Sequence, residues 1–207
     1  MPECGPDYLN PGRIMTGFAT KPLDKSTWPA FADLVERHNG VWGGCWCMAF
    51  HDPEVRRHKF NTQNLRTEKE RRVCAGEAHA ALVFDGKTCV GWCQFGPTEE
   101  LPGIHRARAY HAGLKNLPDW RITCFFVDKN YRGRGVARLA LQGAVQEVRR
   151  LGGGVIESYP EDAANRKVNA AFLFNGEIAM FEREGFKRDR RIGKDTWVVA
   201  KRVRKKA

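Results

Sequence analysis

Nothing in the 207 residues approaches the roughly 20 consecutive apolar positions that a membrane-spanning helix needs. The opening residues, Met1-Pro2-Glu3-Cys4-Gly5-Pro6-Asp7, are polar and rich in breakers where a secretory leader would be apolar. There is no internal repeat. The Lys-Ser/Thr end of a phosphate-binding P-loop is missing, as are the three-glycine dinucleotide pattern and the paired Cys-x-x-Cys knuckles of a structural zinc site. With an odd seven cysteines, these absences predict a cytoplasmic protein with reduced thiols and no membrane partner. Acidic residues are also scarce: 24 Asp and Glu face 35 Lys and Arg, for a net charge of +11. That balance attracts anions, nucleotides and nucleic acids among them. The apolar and charged fractions, 42% and 29%, are those of a chain that buries one ordinary core.

Residues 1–15, with three prolines and two glycines, read as an N-terminal extension. Residues 16–203 read as one domain and 204–207 as a basic, solvated tail. Gly17 to Leu23 suits a first strand. A helix then begins at Ser26 or Thr27, with Pro29 in its first turn and Trp28, Phe31, Leu34 and Val35 as its buried stripe; Asn39-Gly40 stops it. Val41 to His51 is apolar, aromatic and sulfur-rich; if extended, it places Cys45, Cys47 and Ala49 on one face and Trp46, Met48 and Phe50 on the other. A charged helix over 62–76 precedes two strands, 80–84 and 88–95, joined by the hairpin signal Asp85-Gly86. Residues 98–119 read as a long loop, with one helical turn at most.

The densest signal follows. Trp120 to Val127 is a buried strand of aromatic and β-branched residues, Asp128 to Gly135 is a turn rich in Gly and Arg, and a helical pattern begins at Val136. Strand, glycine turn and helix form an anion cradle. Backbone N–H groups gather at the helix N-terminus, and Gly133 and Gly135 admit a ligand close to the main chain. Later come a strand over 155–159, a short helix over 176–184 and closing strands over 186–190 and 196–203.

Arg132-x-x-Gly135-x-Ala137 after Phe125-Phe126-Val127 resembles the pyrophosphate motif of the GNAT (Gcn5-related) N-acetyltransferases. Ala179-Met180-Phe181-Glu182-Arg183-Glu184-Gly185-Phe186 is similar to that family's late helix-to-strand junction. The resemblance spans about Gly17 to Val203. It implies an α/β fold: a mixed, mostly antiparallel central sheet, splayed open in the middle and flanked by helices. It also implies acetyl-CoA as co-substrate and transfer of the acetyl group to an amine of a small molecule or protein by direct attack, while the lack of zinc-knuckle spacing among the cysteines predicts no metal. Phe125, Phe126 and Val127 would pair with the pantetheine arm like an added strand. Arg132, Gly133, Arg134, Gly135, Val136, Ala137 and Arg138 would surround the diphosphate.

Glu157 occupies the position where the family often carries a general base. A carboxylate in an apolar strand suits that work, although an Arg partner or solvent would account for it equally well. The family's usual proton-donating Tyr is Phe181 here, and a phenyl ring donates no proton. Tyr159 shares a strand face with Glu157 and is the candidate donor, with plain packing as its other reading. Cys124 invites a covalent relay, which the resemblance argues against. The spacing Cys45-Trp46-Cys47 is not that of a zinc site. Trp42, Trp46 and Met48 are instead assigned to the acceptor pocket or to the core, and Glu99 and Glu100 suit a cationic acceptor. Two alternatives stay open: a CoA-binding domain without catalysis, and an RNA-linked enzyme such as an aminoacyl-tRNA acetyltransferase. Homodimer formation is also left open.

Overall fold

The computed structural model describes residues 17–41, 43–52, 62–164, 168 and 173–206. The N-terminal extension and Trp42 lie outside the described residues. Seven strands form one sheet in the order β1-β2-β3-β4-β5-β7-β6. These are β1 (Phe18–Pro22), β2 (His79–Asp85), β3 (Thr88–Pro97), β4 (Trp120–Val127), β5 (Gly153–Ser158), β6 (Lys187–Arg191) and β7 (Trp197–Arg204). Every neighbouring pair is antiparallel except β4 with β5.

One face of the sheet is covered by α4 (Val136–Arg150) and α5 (Ile178–Arg183), which bury Val136, Leu141, Ala144, Val148 and Phe181 against Val83, Ile122, Ile156 and Val199. The other face meets α1 (Trp28–Glu36), α2 (Thr62–Ala75) and the segment around Trp46, which enclose Leu82, Phe84, Trp92 and Cys124. α3 (Ala107–Ala112) adds a smaller cluster over the β5–β7 half, built on Tyr110, Tyr159 and Val198. Full burial of each large apolar side chain stabilises the fold by roughly 1.5–3 kcal/mol.

Local chemistry explains the boundaries. The Asp24 carboxylate accepts from the Ser26 and Thr27 amides and turns the chain into α1. Beyond the helix, Asn39 and Gly40 take left-handed conformations (φ 54° and 76°), and the Gly40 N–H returns to the Val35 carbonyl. The hairpin turn falls at Gly86 (φ 58°), as the Asp-Gly pair predicts.

The segment after α1 differs from the extended reading. Val41, Trp46 and Cys47 are left-handed (φ 49°, 48° and 53°), and Met48–Phe50 is a 3₁₀ turn. Folding back on itself buries Cys45, Cys47 and Ala49 as well as Trp46, Met48 and Phe50, whereas a straight strand would turn one of these two sets away from the core.

Candidate active site

β4 carries an irregularity that sequence patterning did not reveal. Gln94 of β3 faces Cys124 while Phe95 faces Ile122, so Thr123 is an extra residue, a β-bulge. β4 pairs with β5 only through Trp120, Arg121 and Ile122, which face Ile156, Glu157 and Ser158. The strands part immediately after the bulge. Thr123 is fully buried, and its hydroxyl donates to the Gln94 side-chain carbonyl at 3.2 Å. Beyond it the free edge of β4 borders an opening. The Phe125 N–H points there and donates to the Phe174 carbonyl at 2.7 Å. Asp128 N–H, on the opposite parity, donates to Val90 of β3. The two-residue period of a strand therefore turns the Val127 backbone toward the opening as well.

From this edge a cavity of about 730 Å³ runs to the N-terminus of α4. Gly135 is the residue before the helix (φ 78°), and Gly133 is also left-handed (φ 73°), with nothing within 4 Å of where a Cβ would stand. The first N–H groups of a helix have no partner within it and carry the positive end of its dipole. An anion fits this end, and an apolar arm fits the walls formed by Phe125, Val136 and Met180. Of the ten residues expected around the cofactor, Phe125, Phe126, Val127, Arg132, Gly133, Gly135, Val136 and Ala137 line the cavity. Arg134 and Arg138 do not. Arg134 lies over the Tyr131 ring, and Arg138 pairs with Glu184 at 2.6 Å.

The turn is held by a residue the sequence reading passed over. Asp128 is buried; its carboxylate accepts from the Asn130 N–H at 3.0 Å and lies 3.3 Å from Arg37 and 3.2 Å from His38, at the end of α1. Burial alone would raise its pKa, but the hydrogen bonds from Asn130, His38 and Arg37 win and hold it below 3.8. Asp128→Ala is expected to cost about 1–3 kcal/mol, read from denaturant unfolding. The contribution is present above pH 3.8 and is lost as pH falls through the lowered pKa, so parent and variant should converge in acid. His38, also unforeseen, lines the cavity with its ring 5.0 Å from Phe126.

Glu157 is not among the cavity-lining residues. It sits in the penultimate β4–β5 rung before the strands part, on the face covered by α3. Its carboxylate accepts from the Tyr110 hydroxyl at 2.9 Å. Burial raises its pKa; the Tyr110 hydrogen bond, Arg190 and Arg121 pull the other way without cancelling it. Tyr110 is itself fully buried, with the Arg121 and Arg190 guanidinium groups 5.5 Å and 5.1 Å from its ring centre. The Tyr159 ring packs edge-on against it at 5.5 Å. The Tyr159 hydroxyl is buried with no hydrogen-bond partner among the described residues, and burial drives its pKa well up. Phe181 is fully buried between Phe125 and Phe186, and supplies no proton.

Trp46 and Met48 lie in the core, not on the cavity; Trp46 packs against Trp28 and Phe31. The neighbouring polar groups form a closed network. Trp92 Nε1–H donates to Cys47 Sγ at 3.2 Å, and the Cys47 and Cys124 sulfurs are 3.3 Å apart. His51 Nδ1–H donates to the Glu100 carbonyl, leaving Nε2 to accept from Gln94 and Lys69, each at 2.9 Å. Burial beside Lys69 keeps that imidazole neutral. Among the described residues no group of three or more His, Cys, Asp or Glu could hold a metal ion. Glu100 is committed to His79, with its carboxylate 2.5 Å from Nδ1, which leaves Glu99 as the exposed one of the two glutamates.

Burial lowers the Lys69 pKa from 10.5, so keeping its proton costs stability at neutral pH. Lys69→Met is expected to melt at the parent temperature or above it at pH 7. The difference should narrow as pH rises toward 10.5, where the unfolded chain also loses that proton. A clear fall in melting temperature would show that the ammonium is a structural necessity.

The chain matches the model of a family described as acetyltransferase (GNAT) over residues 32–186. Among solved structures it is similar to yncA, a putative acetyltransferase from Salmonella typhimurium solved with acetyl-CoA. That match has 16% identity, a TM-score of 0.52, and covers 93% of this chain and 97% of that one. A putative GNAT acetyltransferase from Desulfovibrio desulfuricans is similar at 17% identity and a TM-score of 0.50, covering 89% and 98%. An N-acetyltransferase from Staphylococcus aureus Mu50 is similar at 14% identity and a TM-score of 0.50, covering 91% and 99%. No curated protein sequence matches significantly.

Proposed function

The chain belongs to the GNAT acetyltransferase family, and on that premise we propose that it moves an acetyl group from acetyl-CoA to the nitrogen of an amine by direct attack. One observation carries the reading: a single cavity joins the free edge of β4 to the glycine turn at the N-terminus of α4. The two ends suit the two ends of a thioester carrier. Amides at Gly133 and Gly135, with the Arg132 side chain, hold the diphosphate. The Val127 backbone pairs with the pantetheine arm. When bound, acetyl-CoA supplies an activated acyl carbon.

The chain's own groups do the rest. Glu157, near the point where β4 and β5 part, takes the proton of the attacking amine. Its raised pKa makes it a better base than an ordinary carboxylate. An N–H on the opened edge of β4 faces the charge that develops on the acyl oxygen. Tyr159 is the remaining candidate for returning a proton to the leaving sulfur.

A second reading, a CoA-binding protein without catalysis, is favoured by Phe181, which stands where the family's proton donor usually is. Calorimetric titration with acetyl-CoA, followed by an assay of free CoA release over a panel of amines, separates the two. Heat together with amine-dependent release supports the transferase. Heat without release from any amine supports the second reading, and no heat overturns both.

A further inference from the structure

The charge of the chain is not where the cofactor needs it. Residues 187–206 hold ten Lys and Arg against two Asp, a net +8 of the total +11. Some of these cations are spent on neighbours: Arg188 pairs with Asp162 and Glu182, and Arg190 with Asp189. Lys187, Arg202, Arg204, Lys205 and Lys206 are exposed and form no ion pair among the described residues.

The fold gathers them. Lys187 of β6 faces Ala200 of β7, so Lys187, Ala200, Arg202 and Arg204 share one face of the sheet. Successive same-face residues stand about 7 Å apart along a strand. Arg202 and Arg204 face Val155 and Gly153 of β5, both partly exposed, so this end of the sheet face is open to solvent. The Lys206 N–H donates to the Arg149 carbonyl at 3.1 Å, which carries the basic tail round the end of the sheet to the last turn of α4, on the opposite face.

This is the far end of α4 from the glycine turn. The helix has 15 residues, so about 22 Å separates the two ends, more than twice the Debye length at physiological salt. The patch therefore does not grip the cofactor's diphosphate. It also lacks what a protein partner would bury. Among the described residues the only large exposed hydrophobics are Leu117 and, beside the tail, Leu151, and a single leucine falls short of the packed apolar and aromatic groups that anchor protein interfaces. A row of unpaired cations on an open strand face, continued by a basic chain end, can follow a flexible polyphosphate. It offers no element to enter a duplex groove.

We propose that this surface, formed by Lys187, Arg202, Arg204, Lys205 and Lys206, docks single-stranded RNA through its phosphates, separately from the acetyl-CoA cavity. The test is fluorescence anisotropy of a labelled 20-nucleotide single-stranded RNA from 50 to 300 mM KCl, without acetyl-CoA. It compares the full chain with the variant Arg202→Ser, Arg204→Ser, Lys205→Ser, Lys206→Ser. The full chain is expected to bind at 50 mM salt with a Kd on the order of 10⁻⁶ M. The log–log salt slope should be about −3 to −4, some 0.7 per phosphate engaged. The variant should bind at least about tenfold more weakly with a slope near −1, while its acetyl-CoA titration is unchanged. If the variant unfolds, Arg202→Ser and Arg204→Ser singly should each flatten the slope by about 0.7. Absence of RNA binding at 50 mM salt, or a slope unaltered by these substitutions, overturns the proposal. Equal or tighter binding to duplex DNA or to phosphatidylserine vesicles overturns the assignment to RNA.

Discussion

Gly135→Glu is expected to abolish the heat of acetyl-CoA titration, a loss of more than about 100-fold in affinity, or roughly 3 kcal/mol. Gly135 precedes α4 at φ 78° and lines the cavity. A side chain there costs about 1–2 kcal/mol of backbone strain. A carboxylate at a helix N-terminus is otherwise well placed, because it satisfies the dipole and the free amides. The fold should therefore survive with a fall of only a few degrees in melting temperature, as expected for a domain of this size. The diphosphate meets an intramolecular competitor of its own charge sign at the groups it needs. A variant that melts near the parent temperature yet still binds acetyl-CoA would mean that the phosphates lie elsewhere.

The second large effect concerns Glu157. Glu157→Gln keeps the shape and can still accept the Tyr110 hydrogen bond, but it has no basic oxygen. It is expected to lower kcat by about 10²–10⁴, the usual contribution of a positioned base. Tyr159→Phe should cost less than about tenfold, since water can protonate a thiolate. The pH profile carries independent information. Burial raises the Glu157 pKa above 4.5, so the acid limb of kcat/KM should lie above the ordinary carboxylate range, with activity falling as pH drops through it. That limb should vanish in Glu157→Gln. Tyr110→Phe removes a hydrogen bond that lowers this pKa, and should move the limb to higher pH. On stability the sign reverses. A carboxyl with a raised folded pKa favours the fold below pH 4.5, and that contribution is lost as pH rises through the raised value. Equal losses in Glu157→Gln and Tyr159→Phe, with an unmoved pH profile, would remove the assignment.

Local chemistry made part of this legible in the chain alone. Trp120 to Val127 is apolar at every position but Arg121 and Thr123, and it is β4 with those bounds. Asp85-Gly86 encodes its own turn, and the alternation of Val136, Leu141, Ala144 and Val148 with Arg138 and Gln142 fixes the buried side of α4. The glycine turn was readable because only a few residue types tolerate the backbone it needs. What escaped depends on residues far apart in sequence. Thr123 becomes a bulge only through its register against β3. Asp128 anchors the turn through Arg37 and His38, about 90 residues away, and no local pattern announces the pair. Tyr110 reached Glu157 from a stretch whose composition reads as loop. The Cys45-Trp46-Cys47 segment misled for the opposite reason. Its apolar run suits a strand, but burying both of its faces at once required left-handed residues and a 3₁₀ turn.

The central claim is a placement, and a crystal structure of the chain with CoA bound tests it most directly. The account predicts diphosphate oxygens within hydrogen-bonding distance of the Gly133 and Gly135 amides, and the CoA sulfur in the gap between β4 and β5 beside Glu157. A diphosphate bound anywhere else on the chain, or a sulfur directed away from that gap, would contradict it.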